Sequence, residues 1–119
     1  MRKTGPTNPY MKKLIADLRS LATKEKVNIW KRIADELEKP TRRRREVNLE
    51  RINRNTKKGE TAIVPGKVLS KGELEHSIKV AAWKFSETAK QKINKSGKAI
   101  SIQDLIKENS KGKGVRIIG

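Results

Sequence analysis

The stretch Ile78-Lys79-Val80-Ala81-Ala82-Trp83-Lys84-Phe85 decides the fold class of this chain of 119 residues. Successive side chains of a β-strand point to opposite faces of its sheet. One face would carry Ile78, Val80 and Ala82, and the other would carry Ala81, Trp83 and Phe85. Apolar side chains on both faces are typical of a strand that is covered on both sides. The stretch therefore predicts a central, buried strand.

Short strands and helices flank this strand in the second half of the chain. Thr61-Ala62-Ile63-Val64 predicts a buried strand, and Pro65-Gly66 predicts the turn that ends it. Helix signals follow the central strand, since serines suit helix starts and glycine suits helix ends. The remaining predicted elements are a strand at Val68-Leu69, a helix from Ser86 to Ser96 stopped by Gly97, a strand at Ala99-Ile100, a helix opened by Ser101 with Asp104, and a strand at Val115–Ile118.

The first half of the chain predicts helices. Asn8-Pro9 is a helix start, and apolar residues from Tyr10 to Ala22 then recur at helical spacing. Asn28 is expected to cap a second helix, which Pro40 stops. The segment from Glu46 to Leu49 is expected to be extended or to enter a short basic helix, whose apolar positions are Leu49 and Ile52.

Helices followed by alternating short strands and helices predict a mixed α/β fold. The length suits a single domain over residues 1–119. We divide it into an extended basic arm at 1–7, a helical and basic part at 8–58, and a part of mixed strands and helices at 59–119.

Positive charge dominates the composition. Thirty Lys and Arg face thirteen Asp and Glu, which gives a net charge of +17. Residues 39–58 alone carry nine basic and two acidic side chains. Such an excess destabilises a compact free state, and neutralising phosphates releases the counterions of a nucleic acid. The composition therefore predicts a polyanionic partner.

Several classes of site have no support in the sequence. The chain has no cysteine, so disulfides, thiol catalysis and cysteine-bound zinc are excluded. The only histidine, His76, lies in a polar turn without a catalytic constellation, and Gly112-Lys113-Gly114 lacks the spacing of a phosphate-binding loop. No apolar run is long enough for a membrane span or a secretory signal. We expect no catalysis, no cofactor, no metal and no membrane contact.

The run Arg42-Arg43-Arg44-Arg45 is the strongest functional signal. Guanidinium groups bind phosphate oxygens in pairs and remain charged, and a loop can direct them to several phosphates. A solvated basic loop or a nuclear localisation patch are the alternatives. RNA is favoured over DNA because no helix-turn-helix, zinc-finger or heptad pattern is present. The four aromatic residues, Tyr10, Trp30, Trp83 and Phe85, all fall on apolar faces, so we expect core positions for them and recognition of the RNA backbone and shape.

Five stretches together resemble large-subunit ribosomal protein eighteen of archaea and eukaryotes. They are Arg2–Pro9, Leu37–Asn53, Ile63–Leu69, Val80–Ser86 and Gly114–Gly119. The likeness covers essentially the whole chain, and the short length is similar to archaeal members. One departure is Thr41, where family members more often have a basic residue.

The resemblance implies a fold shared with bacterial large-subunit protein fifteen, in which N-terminal helices precede an irregular stack of short strands and helices. It also implies a structural constituent of the large ribosomal subunit in the cytoplasm, with ribosomal RNA and neighbouring ribosomal proteins as partners and no homo-oligomer. Combined with the charge pattern, it gives the expected RNA-binding residues: Arg2, Lys3, Thr4, Asn8, Lys31, Arg32, Lys39, Arg42, Arg43, Arg44, Arg45, Asn48, Arg51, Arg54, Lys57, Lys58, Lys67, Lys71, Lys111 and Lys113.

Two rival functions remain open on the residues alone. A chromatin-type DNA-binding protein would bind duplex DNA as tightly as structured RNA. An enzyme acting on RNA would need a cluster of carboxylates or histidine, whereas the acidic residues here are dispersed along the chain.

Overall fold

The computed structural model describes residues 9–39 and 45–118, with the side chain of Arg45 excepted. Helices and strands alternate along most of this part of the chain, as the sequence pattern predicts. In order, the elements are α1 (Pro9–Glu25), α2 (Asn28–Leu37), β1 (Arg45–Asn48), α3 (Leu49–Asn55), β2 (Thr61–Leu69), β3 (Lys79–Phe85), α4 (Glu87–Ser96), β4 (Lys98–Ser101), α5 (Ile102–Glu108) and β5 (Val115–Ile117).

The strands form one parallel sheet in the order β1-β2-β3-β4. Strand β3 pairs with β2 along both halves of β2. On the other edge of β2, β5 pairs with Thr61–Ile63 and β1 pairs with Gly66–Leu69, so these two short strands lie end to end. Parallel strands require crossover connections, which helices supply except between β2 and β3, where the loop of residues 70–78 makes the crossover. The mixed α/β fold is confirmed.

Two apolar clusters place helices on both faces of the sheet. On one face, Ile63 and Ala81 pack with residues of α1, α2 and α5, including the fully buried Trp30. On the other face, Val64 and Val80 pack with residues of α3 and α4. Helices α2 and α3 therefore lie in opposite layers, with β1 between them in the chain.

The central strand is confirmed, with one error in its faces. β3 lies between β2 and β4, and Val80 and Ala81 point into opposite clusters. Trp83 packs on the cluster of Ala81, but Phe85 packs on the cluster of Val80, against expectation. The register between β2 and β3 shifts between Val64 and Lys67, so strict alternation fails toward the end of β3.

The predicted turn at Pro65-Gly66 is also wrong. Both residues are buried inside β2, and Val68-Leu69 is the end of this same strand. The missing N–H of proline is tolerated because the ladder to β3 is interrupted at these two positions. A bulge in a long strand thus replaces a turn between two short ones.

The helix ends follow the sequence signals in most cases. Pro9 begins α1, and the hydroxyls of Ser86 and Ser101 accept hydrogen bonds from the backbone N–H groups of Ala89 and Asp104 at 3.2 and 3.1 Å. Asn28 does not cap α2. It is the first residue of the helix, and Val27 holds the cap position without a side-chain bond. The tight reversal explains this, since Lys26 has a φ of 57° and the N–H of Val27 bonds to the carbonyl of Ala22.

Candidate nucleic-acid interface

Helix α3 carries the densest described group of expected RNA-binding residues. Leu49 and Ile52 are fully buried and fix the inner side of the helix against the sheet. Arg51 and Arg54 are exposed one turn apart, and Lys57 and Lys58 are exposed in the segment that follows. With the exposed Lys71 they form what we call the α3 basic strip.

The loop of residues 70–78, between β2 and β3, is hydrogen-bonded to α3 at several points along the helix. At its centre, Asn53 Nδ2 donates to Glu75 Oε1 at 2.9 Å, and the backbone N–H of Glu75 donates to Asn53 Oδ1 at 2.8 Å. At the start of the helix, the N–H of Glu50 donates to the carbonyl of Lys71 at 3.0 Å. The 70–78 loop therefore fixes the orientation in which α3 presents its arginines.

Asn48 and Lys71 contribute to this attachment. The backbone N–H of Lys71 donates to Asn48 Oδ1 at 3.2 Å. The ammonium of Lys71 stays exposed, 3.8 Å from a carboxylate oxygen of Glu50. The geometry thus gives the amide of Asn48 a role in the fold, while the charge of Lys71 faces outward beside the first turn of α3.

His76 closes the far end of the attachment. The hydroxyl of the buried Thr56 donates to the carbonyl of Ile52 at 2.7 Å. The same oxygen lies 2.9 Å from His76 Nε2, and it has its proton committed to Ile52, so the imidazole is the donor. This arrangement gives His76 a structural contact with the end of α3.

Lys92 holds the 70–78 loop from the side of α4. Its ammonium donates to the carbonyls of Ser70 and Gly72 at 3.0 and 3.1 Å and lies 3.0 Å from a carboxylate oxygen of Glu73. Gly72 itself has a φ of +95° and lies so close to Glu50 that an added Cβ would meet it at 2.6 Å. The loop is therefore anchored to both helices on this face of the sheet.

Lys67 lies on a row of charged residues across the sheet. It is the register partner of Glu46 on β1 and of Lys84 on β3, and all three are exposed. Lys84 was not among the expected RNA-binding residues. The sequence could have indicated its exposure, because Lys84 lies between the apolar residues Trp83 and Phe85 in the central strand.

The expected residues on α2 are separated from the α3 basic strip, because α2 lies in the opposite layer. Lys31 lies 3.8 Å from Asp35, and Lys39 lies 3.0 Å from Glu36, so acidic neighbours offset both charges. Arg32 is exposed beside a groove between α2 and β5 that Asp35, Glu36 and Glu60 also line.

Lys111 and Lys113 lie on the turn before β5. Asn109 braces this turn, donating to the carbonyl of Lys113 at 2.8 Å and accepting from its N–H at 3.2 Å. Lys111 is 4.0 Å from Glu25. The carbonyl of Gly114 accepts from the N–H of Thr61, the first residue of β2. Lys113 therefore lies at the end of the sheet where β2 and β5 begin, as do Lys57 and Lys58.

Glu60 is an acidic residue at that end of the sheet, directly before β2. The backbone N–H of Lys57 donates to Oε1 at 2.7 Å, and the guanidinium of Arg116 lies 3.2 Å from Oε2. These contacts, the backbone bond first, hold the pKa of the Glu60 carboxyl below its ordinary value. The hydrogen bond from Lys79 likewise lowers the pKa of Glu108. Both carboxylates stay charged at neutral pH and stabilise the ends of the sheet.

Part of the expected interface lies outside the described residues. For Arg45, the backbone pairs with Gly66 as the first residue of β1. The expected contacts that fall outside are those of Arg2, Lys3, Thr4, Asn8, Arg42, Arg43 and Arg44.

One aromatic residue is not where it was expected. Tyr10 is 75% exposed, because it lies to the side of the helix face that Met11, Leu14 and Leu18 bury in the core. Trp30 is buried as expected, and Trp83 and Phe85 are half-buried. The supporting residues Asn53 and Lys92 were missed entirely, since their partners are 19 to 22 positions away in the chain.

The described residues contain neither a metal-binding group nor a membrane-spanning helix. No three His, Asp or Glu side chains among residues 9–39 and 45–118 are close enough to hold a metal ion. No helix in this part of the chain is long and apolar enough to cross a membrane.

Comparison with known proteins agrees with the resemblance seen in the sequence. Residues 1–119 match the family model described as ribosomal protein 60S L18 and 50S L18e. The chain belongs to this family. It is 47% identical over 118 residues to large ribosomal subunit protein eL18 of Methanoregula boonei, covering 98% of both chains. The protein of the same name from Haloarcula marismortui is 46% identical over 112 residues, or 94% of this chain and 97% of the relative.

Membership of this family determines the general role of the chain. It is a structural ribosomal protein of the large subunit, located in the ribosomes of the cytoplasm, and it is not an enzyme. The family match extends through residues 1–8 and 40–44 as well as the described part. Ribosomal RNA and other ribosomal proteins are accordingly its partners.

Proposed function

We propose that the chain stabilises folded large-subunit ribosomal RNA by binding its phosphate backbone along the α3 basic strip. The observation that carries this proposal is the attachment of α3 to the 70–78 loop, which fixes the helix that carries the exposed Arg51 and Arg54. The exposed Lys57 and Lys58 follow directly after the helix. Cations held in a fixed arrangement lose less conformational entropy on binding than cations on a free chain.

The arm and the arginine loop extend this surface in our proposal. Lys39 and Arg45 flank the loop, and Arg45 begins the strand that leads directly into α3. The four arginines are thus neighbours of the strip in the chain and supply further phosphate contacts. The single domain with parts 1–7, 8–58 and 59–119, and the monomeric state, remain predictions.

The salt dependence of RNA binding tests the proposal. We expect the pair Arg43→Ala and Arg44→Ala, and separately the pair Arg54→Ala and Lys58→Ala, to weaken binding to structured ribosomal RNA fragments. Each pair should flatten the slope of log affinity against log salt by about one to two units. Lys12→Ala with Lys24→Ala removes the same charge from exposed sites on α1, in the other layer, and should leave the slope unchanged.

Two outcomes would count against the proposal. Equal slope changes in the α1 pair and the α3 pair would show that net charge, and not the strip, drives binding. Equal affinity for duplex DNA and structured RNA at fixed salt would favour the DNA-binding rival.

A further inference from the structure

A second site lies on the opposite edge of the sheet from β1, where β3 extends past the end of β4. The last register pair joins Ala82 to Ser101, so Trp83, Lys84 and Phe85 have no strand partner on that side among the described residues. A groove of about 620 Å³ lies there, and we call it the Trp83 groove. Its volume falls within the roughly 300–1,000 Å³ typical of small-molecule sites, which is ample for one nucleotide.

The two aromatic residues of the groove differ from the buried Trp30. Trp83 and Phe85 are both half-buried, and both line the groove. Trp30 has its indole N–H bonded to the carbonyl of Ser110 at 2.7 Å, whereas the indole N–H of Trp83 has no acceptor among the described residues. The groove therefore offers aromatic surface from residues that the core does not cover fully.

The charge around the groove favours an anionic occupant. Lys90, Lys98 and Lys107 line it and are exposed, and the exposed Lys84 lies between the two aromatic residues in the chain. Two carboxylates, Asp104 and Glu108, also line the groove. The charge of Glu108 is offset by Lys79, which donates to it at 2.6 Å, so the lysines of the groove outnumber the remaining acid, Asp104. Aromatic faces flanked by lysines are the arrangement that proteins use for unpaired nucleotides.

We propose that the Trp83 groove binds an unpaired nucleotide of the ribosomal RNA, with the base against Trp83 and a phosphate beside Lys107 of α5, which lies in the same layer. Phe85 and Lys90 border the groove from the other face of the sheet. This inference rests on the proposed RNA-binding function and adds a second contact of a different kind. The α3 basic strip binds backbone through charge alone, whereas the groove requires a base that has left its stack. The two contacts lie on different sides of the molecule, so a folded RNA could engage both.

Ultraviolet crosslinking of the full chain to a short oligouridylate tests the groove without altering it. Trypsin cleaves after Lys79, Lys84 and Lys90, so crosslinks at Trp83 and Phe85 fall in separate peptides, 80–84 and 85–90. The peptide 27–31 with the buried Trp30 serves as an internal control. We expect adducts on 80–84 or 85–90 and none on 27–31.

Variants at Trp83 add a quantitative readout. Trp83→Leu should weaken binding of oligouridylate by about fivefold to a hundredfold, the range for losing one base–aromatic stack. Binding of an RNA duplex of equal length should be unchanged, because a duplex offers no unstacked base. Trp83→Phe keeps an aromatic face and should show a smaller loss, and thermal unfolding of both variants checks that they fold.

The outcomes separate this inference from the proposed function. A chain that binds RNA but gives no adducts on the groove peptides, or a Trp83→Leu variant that folds and weakens single strand and duplex equally, overturns the groove and leaves the α3 proposal standing. A chain that binds neither oligouridylate nor the RNA duplex overturns the proposed function itself. If Trp83→Leu does not fold, the crosslinks on the unaltered chain decide.

Discussion

Asn53 and Glu75 exchange two hydrogen bonds although they are 22 positions apart in the chain. One bond joins the two side chains, and in the other the backbone N–H of Glu75 donates to the side-chain oxygen Oδ1 of Asn53. A carboxamide can make both at once because it carries a donor and an acceptor side by side. This contact fixes the middle of α3, which carries the proposed RNA-binding arginines.

Asn53→Ala should therefore lower the free energy of unfolding by about 1–2 kcal/mol, the net value of two partly exposed hydrogen bonds. Glu75→Ala keeps the backbone N–H and should cost less than Asn53→Ala. Urea denaturation of the two variants and of the unaltered chain measures both values. Equal losses would show that the bond to the backbone contributes nothing.

Sequence patterns predicted the elements whose signals are local. Apolar spacing marked α1 and α2, and Ser86 and Gly97 marked the two ends of α4. Apolar residues on both faces marked β3 as an interior strand. In each case the deciding residues lie within or directly beside one element, so the local pattern of side chains is sufficient to predict that element.

Errors arose where distant packing overrides local preference. Pro65-Gly66 has the composition of a turn, yet the pairing of Val64 and Lys67 with β3, and of Gly66 onward with β1, keeps it extended within β2. The α3 basic strip was predicted from charge, but its attachment to the 70–78 loop was not, because no local pattern records a contact such as Asn53 with Glu75. The Trp83 groove likewise depends on the unequal lengths of β3 and β4.

Gly72 is required by both its conformation and its surroundings. Its φ is +95°, and an added Cβ would lie 2.6 Å from the Cβ of Glu50 and 2.7 Å from its backbone N. We expect Gly72→Ala to cost roughly 2–5 kcal/mol, combining left-handed strain with overpacking. Gly59, with a φ of +88° and open space around it, is the matched control. Gly59→Ala should cost only the strain, about 1–2 kcal/mol, and a similar loss at both sites in urea denaturation would refute the packing argument.

Lys92 has a structural role despite its charge. Its ammonium bonds to two loop carbonyls and lies near Glu73. Lys92→Met keeps the length of the side chain and should lower stability by about 1.5–3 kcal/mol, because hydrogen bonds from a charged donor are lost. Lys95→Met, at an exposed site on the same helix, removes the same charge and should change stability little. Both variants remove one positive charge, so any difference between their RNA affinities at matched salt should come from the loosened 70–78 loop.

Glu60 should make stability depend on pH in the acid range. Its pKa is lowered in the folded state, so its charged form stabilises the fold above the ordinary pKa, and this stabilisation is lost as the pH falls through the lowered value. Glu60→Gln should therefore lower Tm at neutral pH, and the difference should vanish well below about pH 4. Because the N–H of Lys57 is the larger cause, Arg116→Gln should keep most of the pH dependence. A constant Tm difference across this range would contradict the assignment.

Trp30 joins the helical layer to the turn before β5. It is fully buried, and its indole N–H donates to the carbonyl of Ser110, 80 positions away, at 2.7 Å. Trp30→Phe leaves that carbonyl without its partner and opens a small cavity, so we expect a loss of about 2–3 kcal/mol in urea denaturation. Ser110→Ala retains the backbone acceptor and should be nearly neutral. Trp83→Phe, at a half-buried site whose indole N–H lacks an acceptor in the described part of the chain, should cost less than about 1 kcal/mol. Equal losses at Trp30 and Trp83 would mean that the Ser110 bond does not stabilise the junction.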